Sequence, residues 1–472
     1  MIRLMLRPLA IVTMLVAGVV APPTSVRAVT VQADVNPAGT WTGAIAVGGQ
    51  TIPISVTFTG AADAMSGSIN VPGASGLPLR EVRRDAAKLH FEFPAGPTTA
   101  SFDGTIDGAT MSGTFQQGPA TGTFTLARHV DTPVTPATYR EETITFSSGA
   151  VTIAGTLTIP DGAGPFPAVI LLTGSGAQNR DEEIFGFKPF KVIADVLARR
   201  GIAVLRCDDR GVGGSSGSIA QSTTADFADD ALAGVSVLAA RKEIDAKRIG
   251  LIGHSEGTSV AAIAASRDPR VAFIALLAPP AVRGDLMLRR QVLDGAKLLG
   301  ASDLQVAAIA AAHERVTRDA AAGDDEALAA DTRALMRAQI EGRPGAPTNA
   351  ADVDAFIDRT LPAAATQMKS PWMRAFLVFD PATVLAKVHC PVLAMFGGRD
   401  TQVPIDLNRA PLEAALTAAG NRAVTIKTYP DANHLFIKAV TGSVAEYPAL
   451  EKTFVPGLLD DLATWVAGVT TR

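Results

Sequence analysis

One pentapeptide, Gly-His-Ser-Glu-Gly at residues 253–257, constrains the fold of this chain more than any other segment. The apolar run 248–252 before it is typical of a short buried strand, and the composition of 255–263 favours a helix. Glycine on both sides has a steric reason, because β-carbons there would clash where the strand and the helix cross. The pattern therefore predicts a strand, a strained turn that exposes the Ser255 hydroxyl, and a helix.

The chain from about residue 138 onward is consistent with one fold class. After a hairpin over 143–159, apolar strands alternate with helical segments, which predicts a mainly parallel sheet with helices on both faces. The expected strands are 168–172, 203–205, 249–252, 272–277, 392–396 and 424–427, and helices are expected at 188–200, 226–240 and 411–419. Gly-x-Ser-x-Gly between a strand and a helix is the nucleophile elbow of the α/β-hydrolase fold. We therefore predict an α/β-hydrolase domain over 138–472.

A long interval at about 280–370 interrupts this alternation. It is rich in alanine, carries scattered charges and has no strand pattern, so it is expected to be helical. Long insertions in compact domains usually have a function, and we interpret this one as a helical cap over the active site. The alternative is a helical excursion that packs away from the site.

The region 34–132 has a different pattern. Short alternating runs are separated by turn signals such as Asp-Gly at 103–104 and 107–108, which is typical of antiparallel strands. We predict a separate β domain here, either a small barrel or a sandwich. The proline-containing segment 131–136 is the expected linker.

The first 28 residues have the features of a secretory signal peptide. Arg3 and Arg7 precede an apolar core of about a dozen residues, and Val26-Arg27-Ala28 offers a small-residue cleavage site. We predict an exported protein, periplasmic or secreted, with no integral membrane span in the mature chain. The alternative is an uncleaved N-terminal anchor, because residues 4–6 could extend the apolar run.

Charge and motif content exclude several other classes of function. The formal net charge is −4, from 42 Lys and Arg against 46 Asp and Glu, and no basic patch typical of nucleic-acid binding occurs. The six histidines are scattered, and the sequence has no metal motif such as His-Glu-x-x-His. We expect a small-molecule substrate, no nucleic acid, no metal and no cofactor. The sequence leaves the oligomeric state open.

Acyl transfer by Ser255 requires a histidine base and an acid that orients it, in the chain order Ser, Asp, His. His434 alone among the six histidines follows the last predicted strand, in a loop at the sheet edge where open α/β sheets bind ligands. His254 adjoins the serine, and we expect its side chain to point away from the nucleophile. The other histidines lie in the β domain, in the cap or before a strand.

The acid is expected just after the preceding strand. Asp400 follows the run 392–396 on a glycine turn, and we assign it the role of orienting His434. Asp431 is the main rival, since it lies three residues before His434. Its place beside Pro430 favours a turn-forming role.

Two backbone N–H groups should stabilise the oxyanion. One belongs to Glu256, the residue after the nucleophile, and the other lies in the Gly-rich loop 174–176 after the strand 168–172. Ser175 is the preferred donor in that loop, with Gly176 as the alternate. The Glu256 side chain could orient the elbow through a hydrogen bond or be solvated.

Charged clusters at 179–183 and 206–210 follow two of the predicted strands. We interpret both as salt-bridge networks that fix loops at the rim of the sheet, because structural ion pairs are the commoner case.

Several motifs together resemble one known family. They are Gly-Ser-Gly at 174–176, Arg-Asp-Glu at 180–182, Asp-Asp-Arg-Gly-Val-Gly at 208–213, the elbow pentapeptide, Ser-Pro-Trp at 370–372 and Asn-His-Leu-Phe at 433–436. The chain from about residue 140 to its end resembles the bacterial EstD-type α/β-hydrolase esterases. One departure is Gly-Gly-Arg-Asp at 397–400, where the family more often has Asn-Gly-x-x-Asp. The aspartate is kept.

The resemblance implies a carboxylesterase that acts on short acyl esters, with an N-terminal β extension and a helical cap. It also implies a triad of Ser255, Asp400 and His434. Two other hypotheses remain. One is an exported serine peptidase or amidase of the prolyl-oligopeptidase type, and the other is a surface- or ligand-binding protein that uses the β domain.

Overall fold

The computed structural model describes residues 36–47, 50–60, 65–71, 74–95, 98–128, 137–341 and 349–471. The predicted signal segment 1–28 and the predicted linker 131–136 lie outside these ranges. The chain divides at about residue 135 into two compact units, an N-terminal β unit and a larger α/β unit. No helix in the described part of the chain combines the length and apolar character needed to cross a membrane.

The N-terminal unit is one antiparallel sheet of nine strands in the order β4-β3-β2-β1-β9-β8-β7-β6-β5. The strands are β1 (Gly39–Val47), β2 (Gln50–Thr59), β3 (Ser66–Val71), β4 (Ala74–Pro78), β5 (Glu81–Asp85), β6 (Lys88–Ala95), β7 (Thr98–Asp107), β8 (Thr110–Gln117) and β9 (Ala120–Arg128). Alternate residues face an aromatic core in which Phe91 stacks on Phe102 at 4.5 Å. The sheet curls until β3 lies near β5. The two-sheet sandwich that the sequence left open is therefore wrong, and the fold is barrel-like.

The second unit is built on an eight-stranded sheet in the order β10-β11-β13-β12-β14-β15-β16-β17. Its strands are β10 (Tyr139–Ser148), β11 (Val151–Pro160), β12 (Phe166–Leu172), β13 (Ala203–Cys207), β14 (Ile244–His254), β15 (Val271–Leu277), β16 (Val392–Gly397) and β17 (Val424–Tyr429). The hairpin β10–β11 is antiparallel, and the other six strands are parallel. This is the predicted α/β-hydrolase sheet.

Helices surround the sheet. They are α1 (Pro189–Arg199), α2 (Thr224–Ala239), α3 (Glu256–Arg267), α9 (Pro381–Leu385), α10 (Ile405–Ala418) and α11 (Leu458–Thr470), with short 3₁₀ turns at Ile219–Gln221 and Val444–Ala449. The strands between them are almost wholly apolar, as in β16, where all six residues are buried. Burial on both faces explains why these strands read as continuous apolar runs.

The predicted cap consists of helices inserted between β15 and β16. They are α4 (Gly284–Leu298), α5 (Asp303–Ala322), α6 (Asp325–Ile340), α7 (Ala350–Lys369) and α8 (Pro371–Val378). An apolar cluster of their own, including Leu328 and Leu377, holds them together. The parallel strands β12, β14, β15 and β16 all end at the same edge of the sheet, and the loops that follow them carry the candidate site.

Candidate active site

Ser255 lies between the end of β14 and the first residue of α3, as the sequence predicted. Its backbone is strained, with φ at 52° and ψ at −118°, and its N–H donates to the carbonyl of Leu277 at 2.9 Å. A β-carbon on Gly253 would lie 2.1 Å from the carbonyl oxygen of Gly257, and one on Gly257 would lie 2.1 Å from that of Leu172. Only glycine permits this turn, which explains the Gly-x-Ser-x-Gly spacing.

Asp400 and His434 form a buried pair. His434 Nδ1 lies 2.8 Å from Asp400 Oδ2, and Asp400 Oδ1 accepts the N–H groups of Gln402 and Val403, both at 2.8 Å. Burial alone would raise the pKa of Asp400, but the charge and hydrogen bond of His434, together with the two backbone bonds, lower it below its usual range. The ionised carboxylate can therefore hold the imidazole and stabilise its protonated form.

The His434 loop is held in shape by its neighbour. The side-chain oxygen of the buried Asn433 accepts the N–H groups of Leu435 at 3.0 Å and Ile437 at 3.2 Å. Phe436 adopts a left-handed backbone with φ at 55°. The resulting tight turn accounts for the Asn-His-Leu-Phe motif.

The rival acid, Asp431, faces elsewhere. Its exposed carboxylate pairs with Arg399 at 3.2 Å. The structure therefore brings His434 to Asp400 and leaves Asp431 at the surface. Among the described residues no hydrogen bond joins Ser255 Oγ to His434, a contact that in unliganded enzymes often tightens only when substrate binds.

The oxyanion candidates lie where the sequence placed them. The N–H of Glu256 begins α3, and neither it nor the N–H groups of Ser175 and Gly176 have an acceptor within the described residues. The neighbouring N–H of Gly174 donates to Glu182 at 2.7 Å, so it is occupied. A β-carbon on Gly174 would lie 3.2 Å from that of the elbow serine, so the loop runs directly beside the nucleophile.

The Glu256 side chain is buried and hydrogen-bonded, which decides the alternative that the sequence left open. Its Oε1 accepts Thr224 Oγ1 at 2.6 Å and the indole N–H of Trp372 at 2.8 Å. Burial raises the pKa of Glu256, while hydrogen bonds from Thr224, Trp372 and Ser175 oppose the rise. Trp372 lies on α8, so the cap reaches the residue next to the nucleophile.

The expectation that His254 points away from the site is wrong. Its ring lies beside that of His434, with centroids 4.6 Å apart, and its Nε2 lies 2.9 Å from the main-chain oxygen of His434. Its Nδ1 lies 2.8 Å from the buried Glu182. The sequence offered one signal, a histidine adjoining the serine, but no local pattern connects it to a glutamate 72 residues away.

The rim clusters are only partly salt-bridge networks. Arg180 pairs with Asp208 through two bonds, at 3.0 and 2.5 Å, as expected. Asp209 instead accepts Thr173 Oγ1 at 2.6 Å and the N–H of Gln178 at 2.9 Å. Burial, with a smaller contribution from nearby carboxylates, raises the pKa of Asp209 to about 7.

A pocket opens beside the oxyanion loop. Its lining includes Gly174, Gly176 and Glu256, the apolar side chains of Leu172, Phe227 and Val260, and Asp209.

In the described part of the chain, the His and carboxylate side chains close enough to share a metal ion are Glu81, His90 and Glu92. They lie on β5 and β6 of the N-terminal sheet.

Comparison with known proteins shows which proteins the chain is similar to. A family model described as serine aminopeptidase, S33, matches residues 188–338, and the dienelactone hydrolase family model matches residues 378–454. Esterase EstD of Thermotoga maritima is 29% identical over 334 residues, which cover 71% of this chain and 69% of that protein. These matches support an EstD-like α/β-hydrolase esterase. The EstD-like resemblance seen in the motifs is thereby confirmed.

Solved structures with a similar chain trace include a hypothetical protein of Pseudomonas aeruginosa, 19% identical, with a TM-score of 0.44 and coverage of 71% of this chain and 94% of that one. An esterase of Pyrococcus furiosus is 16% identical, with a TM-score of 0.44 and coverage of 73% and 96%.

Proposed function

We propose that this EstD-like enzyme is a carboxylesterase that cleaves short-chain acyl esters through an acyl-enzyme on Ser255. The observation that carries the proposal is the buried Asp400–His434 pair in the loops that meet at the nucleophile elbow. A serine on a strained turn, a histidine and an ionised aspartate in this chain order are the groups that acyl transfer requires.

The reaction proceeds in two halves. Ser255 Oγ attacks the ester carbonyl carbon while His434 accepts the hydroxyl proton, and the N–H groups of Glu256 and Ser175 stabilise the oxyanion. The tetrahedral intermediate collapses, the C–O bond to the alcohol breaks, and His434 returns the proton to the departing alkoxide. Water then attacks the acyl-enzyme by the same route and releases the carboxylic acid, while Asp400 holds the imidazole throughout.

The pocket beside the oxyanion loop supports a short acyl group. Gly176 and Glu256, which belong to the candidate oxyanion donors, line it together with apolar side chains such as Leu172 and Val260. An acyl chain entering there would bury apolar surface, worth about 0.8 kcal/mol for each methylene group. We expect the preference to fall once the chain is longer than this pocket.

A panel of p-nitrophenyl esters of increasing acyl length tests the proposal. We expect the highest kcat/KM for short acyl chains. Ser255→Ala should reduce kcat by at least about 10³-fold and Asp400→Asn by about 10⁴-fold, with unchanged circular dichroism. Undiminished activity of Ser255→Ala would contradict the mechanism.

Amide hydrolysis is the competing activity, favoured by the match to a family model described as a serine aminopeptidase. Aminoacyl p-nitroanilides should be included in the panel. Their hydrolysis in the absence of any ester hydrolysis would make the protein a peptidase or amidase.

A further inference from the structure

The acid–imidazole pair of Glu182 and His254 has no part in the reaction steps above. Both side chains are buried, Glu182 at 1% and His254 at 5% exposure, and Glu182 Oε1 lies 2.8 Å from His254 Nδ1. The backbone of Glu182 is in the left-handed region, with φ at 51°. A non-glycine residue keeps such a conformation only where its surroundings enforce it, and such residues cluster at functional sites.

We propose that Glu182 and His254 form a buried ion pair that holds the oxyanion loop and the His434 loop in place around Ser255. The role of this pair rests on the proposed function, because it acts on the groups that perform ester hydrolysis. Glu182 and His254 are positioning residues, since neither lies where it would touch the reacting atoms.

The hydrogen bonds determine the charge state of the pair. His254 Nε2 faces the carbonyl oxygen of His434 at 2.9 Å, and a carbonyl oxygen can only accept, so Nε2 carries a hydrogen. His254 Nδ1 faces the same Glu182 oxygen that accepts the N–H of Gly174 at 2.7 Å. In the proposed ion pair this carboxylate oxygen accepts both N–H groups, so Nδ1 is a donor as well. Both ring nitrogens then carry hydrogen, and the imidazole is positively charged.

The surrounding charges agree with this state. Burial would lower the pKa of His254, but the charge and hydrogen bond of Glu182, the His434 carbonyl and the charge of Asp400 raise it above its ordinary value. Asp209 adds a further carboxyl group near Glu182. The ionisable groups that face the pair are therefore Asp400, His434 and Asp209.

The pair connects three loops whose relative positions the reaction requires to be fixed. Gly174 precedes the oxyanion donors after β12, His254 directly precedes the nucleophile at the end of β14, and His434 lies in the loop after β17. These loops are far apart in the chain, so only tertiary contacts fix their spacing. An error of about 1 Å in such a spacing can reduce the rate about 10²-fold.

The two charges of the proposed ion pair have a fixed orientation relative to His434. The positive end of the pair, the His254 ring, faces the His434 ring at a centroid distance of 4.6 Å. A fixed positive charge there alters the electrostatic field at the His434 ring. Asp400 provides the opposite charge when His434 accepts a proton during the reaction.

Nitrogen NMR of the full-length enzyme labelled with ¹⁵N-histidine tests the charge state without reference to activity. At pH 8 we expect one imidazole with both ring nitrogens protonated, a signal that His254→Gln removes and Glu182→Gln converts to a titrating one. Finding only neutral imidazoles at pH 8 would overturn the proposal, whatever the esterase assays show.

Kinetics test the positioning role. We expect Glu182→Gln and His254→Gln to lower kcat by about 10- to 100-fold with KM changed less than about 3-fold. In His254→Gln the acidic limb of the kcat/KM profile should move to higher pH, because the carboxylate remains without its positive partner. The exposed His389 provides the matched control, His389→Gln, which should leave kcat and the pH profile unchanged.

The two experiments separate the possible failures. A folded His254→Gln enzyme with wild-type kcat and pH profile would show that the pair is only structural. Full activity of Ser255→Ala would refute the proposed function and leave the NMR result standing as a property of the fold.

Discussion

The surroundings of three carboxyl groups near the elbow shift their pKa values in different directions. Asp400 keeps its charge, because His434 and two backbone N–H groups bind it. Burial raises the pKa of Asp209 and Glu256, and the hydroxyl, backbone and indole groups that donate to them are neutral. Of these three groups, only Asp400 combines a lowered pKa with an imidazole partner, so the electrostatics agree with its assignment as the acid of the triad.

Asp209→Asn should change how stability depends on pH. The folded-state pKa of Asp209 is about 7, above the unfolded value of about 3.9, so the unfolded chain ionises first as the pH rises. The free energy of unfolding of the wild type therefore falls by up to about 1.4 kcal/mol per pH unit between about pH 4 and pH 7 because of this group. The asparagine side chain does not titrate. The free energy of unfolding of the variant, relative to that of the wild type, should therefore increase as the pH rises across that range.

Urea unfolding at pH 4.5, 6 and 8 measures the difference. Asp431→Asn, at an exposed aspartate, is the control. A difference between Asp209→Asn and wild type that is the same at all three pH values would contradict the prediction.

At the scale of single residues, the sequence predicted Ser255, Asp400 and His434 because each follows a recognisable strand. It missed the place of His254, since the direction of a side chain at the end of a strand depends on which loop packs against it. The sequence also did not predict the hydrogen bond between Trp372 and Glu256, because the two residues lie 116 positions apart.

At the scale of elements, the cap and the elbow meet through one hydrogen bond. Trp372 on α8 donates to Glu256, the first residue of α3, and Thr224, the first residue of α2, donates to the same oxygen. Trp372 also stacks on Phe376 at 5.2 Å within α8. A shift of α8 would therefore act directly on the residue that supplies an oxyanion N–H.

Trp372→Phe should lower kcat/KM by about 10-fold. It keeps an aromatic ring but removes the indole donor, and a hydrogen bond to a buried carboxyl group contributes about 0.5–1.5 kcal/mol. Trp465→Phe is the matched control. Trp465 lies on α11 and packs edge-on against Phe273 of β15, and it makes no hydrogen bond to the elbow among the described residues.

Steady-state kinetics with the preferred ester provide the measurement. Equal kcat/KM values for Trp372→Phe and Trp465→Phe would show that the cap does not act on the elbow through this bond.

Element types followed from the sequence pattern, but some boundaries did not. The helix expected at 411–419 begins at Ile405, so Pro411 lies inside α10. The buried Asn408 in the first turns of this helix binds the N–H of Ala281 and the carbonyl of Pro404. These tertiary contacts stabilise helix ahead of the proline, although proline opposes helix in isolation.

At the scale of the whole molecule, the two units have separate cores. The aromatic cluster of the N-terminal sheet contains only residues from β1–β9, and the core of the α/β sheet draws on residues after 140. Every candidate site residue belongs to the second unit. The proposed chemistry therefore does not require a side chain from the β unit.

Removing residues 34–132 should leave ester hydrolysis within about 3-fold of the full chain, because a unit with its own core can fold alone. Circular dichroism and the p-nitrophenyl ester assay measure the result, with Ser255→Ala in the shortened chain as the background. A folded but inactive shortened chain would give the β unit a part in catalysis. Loss of binding to a surface or glycan would instead reveal a binding function for it.

Export of the protein stays a prediction, since residues 1–28 lie outside the described ranges. Its test is N-terminal sequencing of the mature protein from its native source. A mature chain that still begins at Met1 would contradict cleavage.

The sequence by itself determined the elbow and the alternation of strands and helices, and it predicted the separate β unit and the order of the proposed triad. These features depend on sterics and burial within a few residues, such as the contact that excludes a β-carbon at Gly257. The tertiary structure alone decided that Glu182 binds His254 and that the cap reaches Glu256. Those contacts join residues 72 and 116 positions apart, and only the packing of loops on a common sheet edge brings them together.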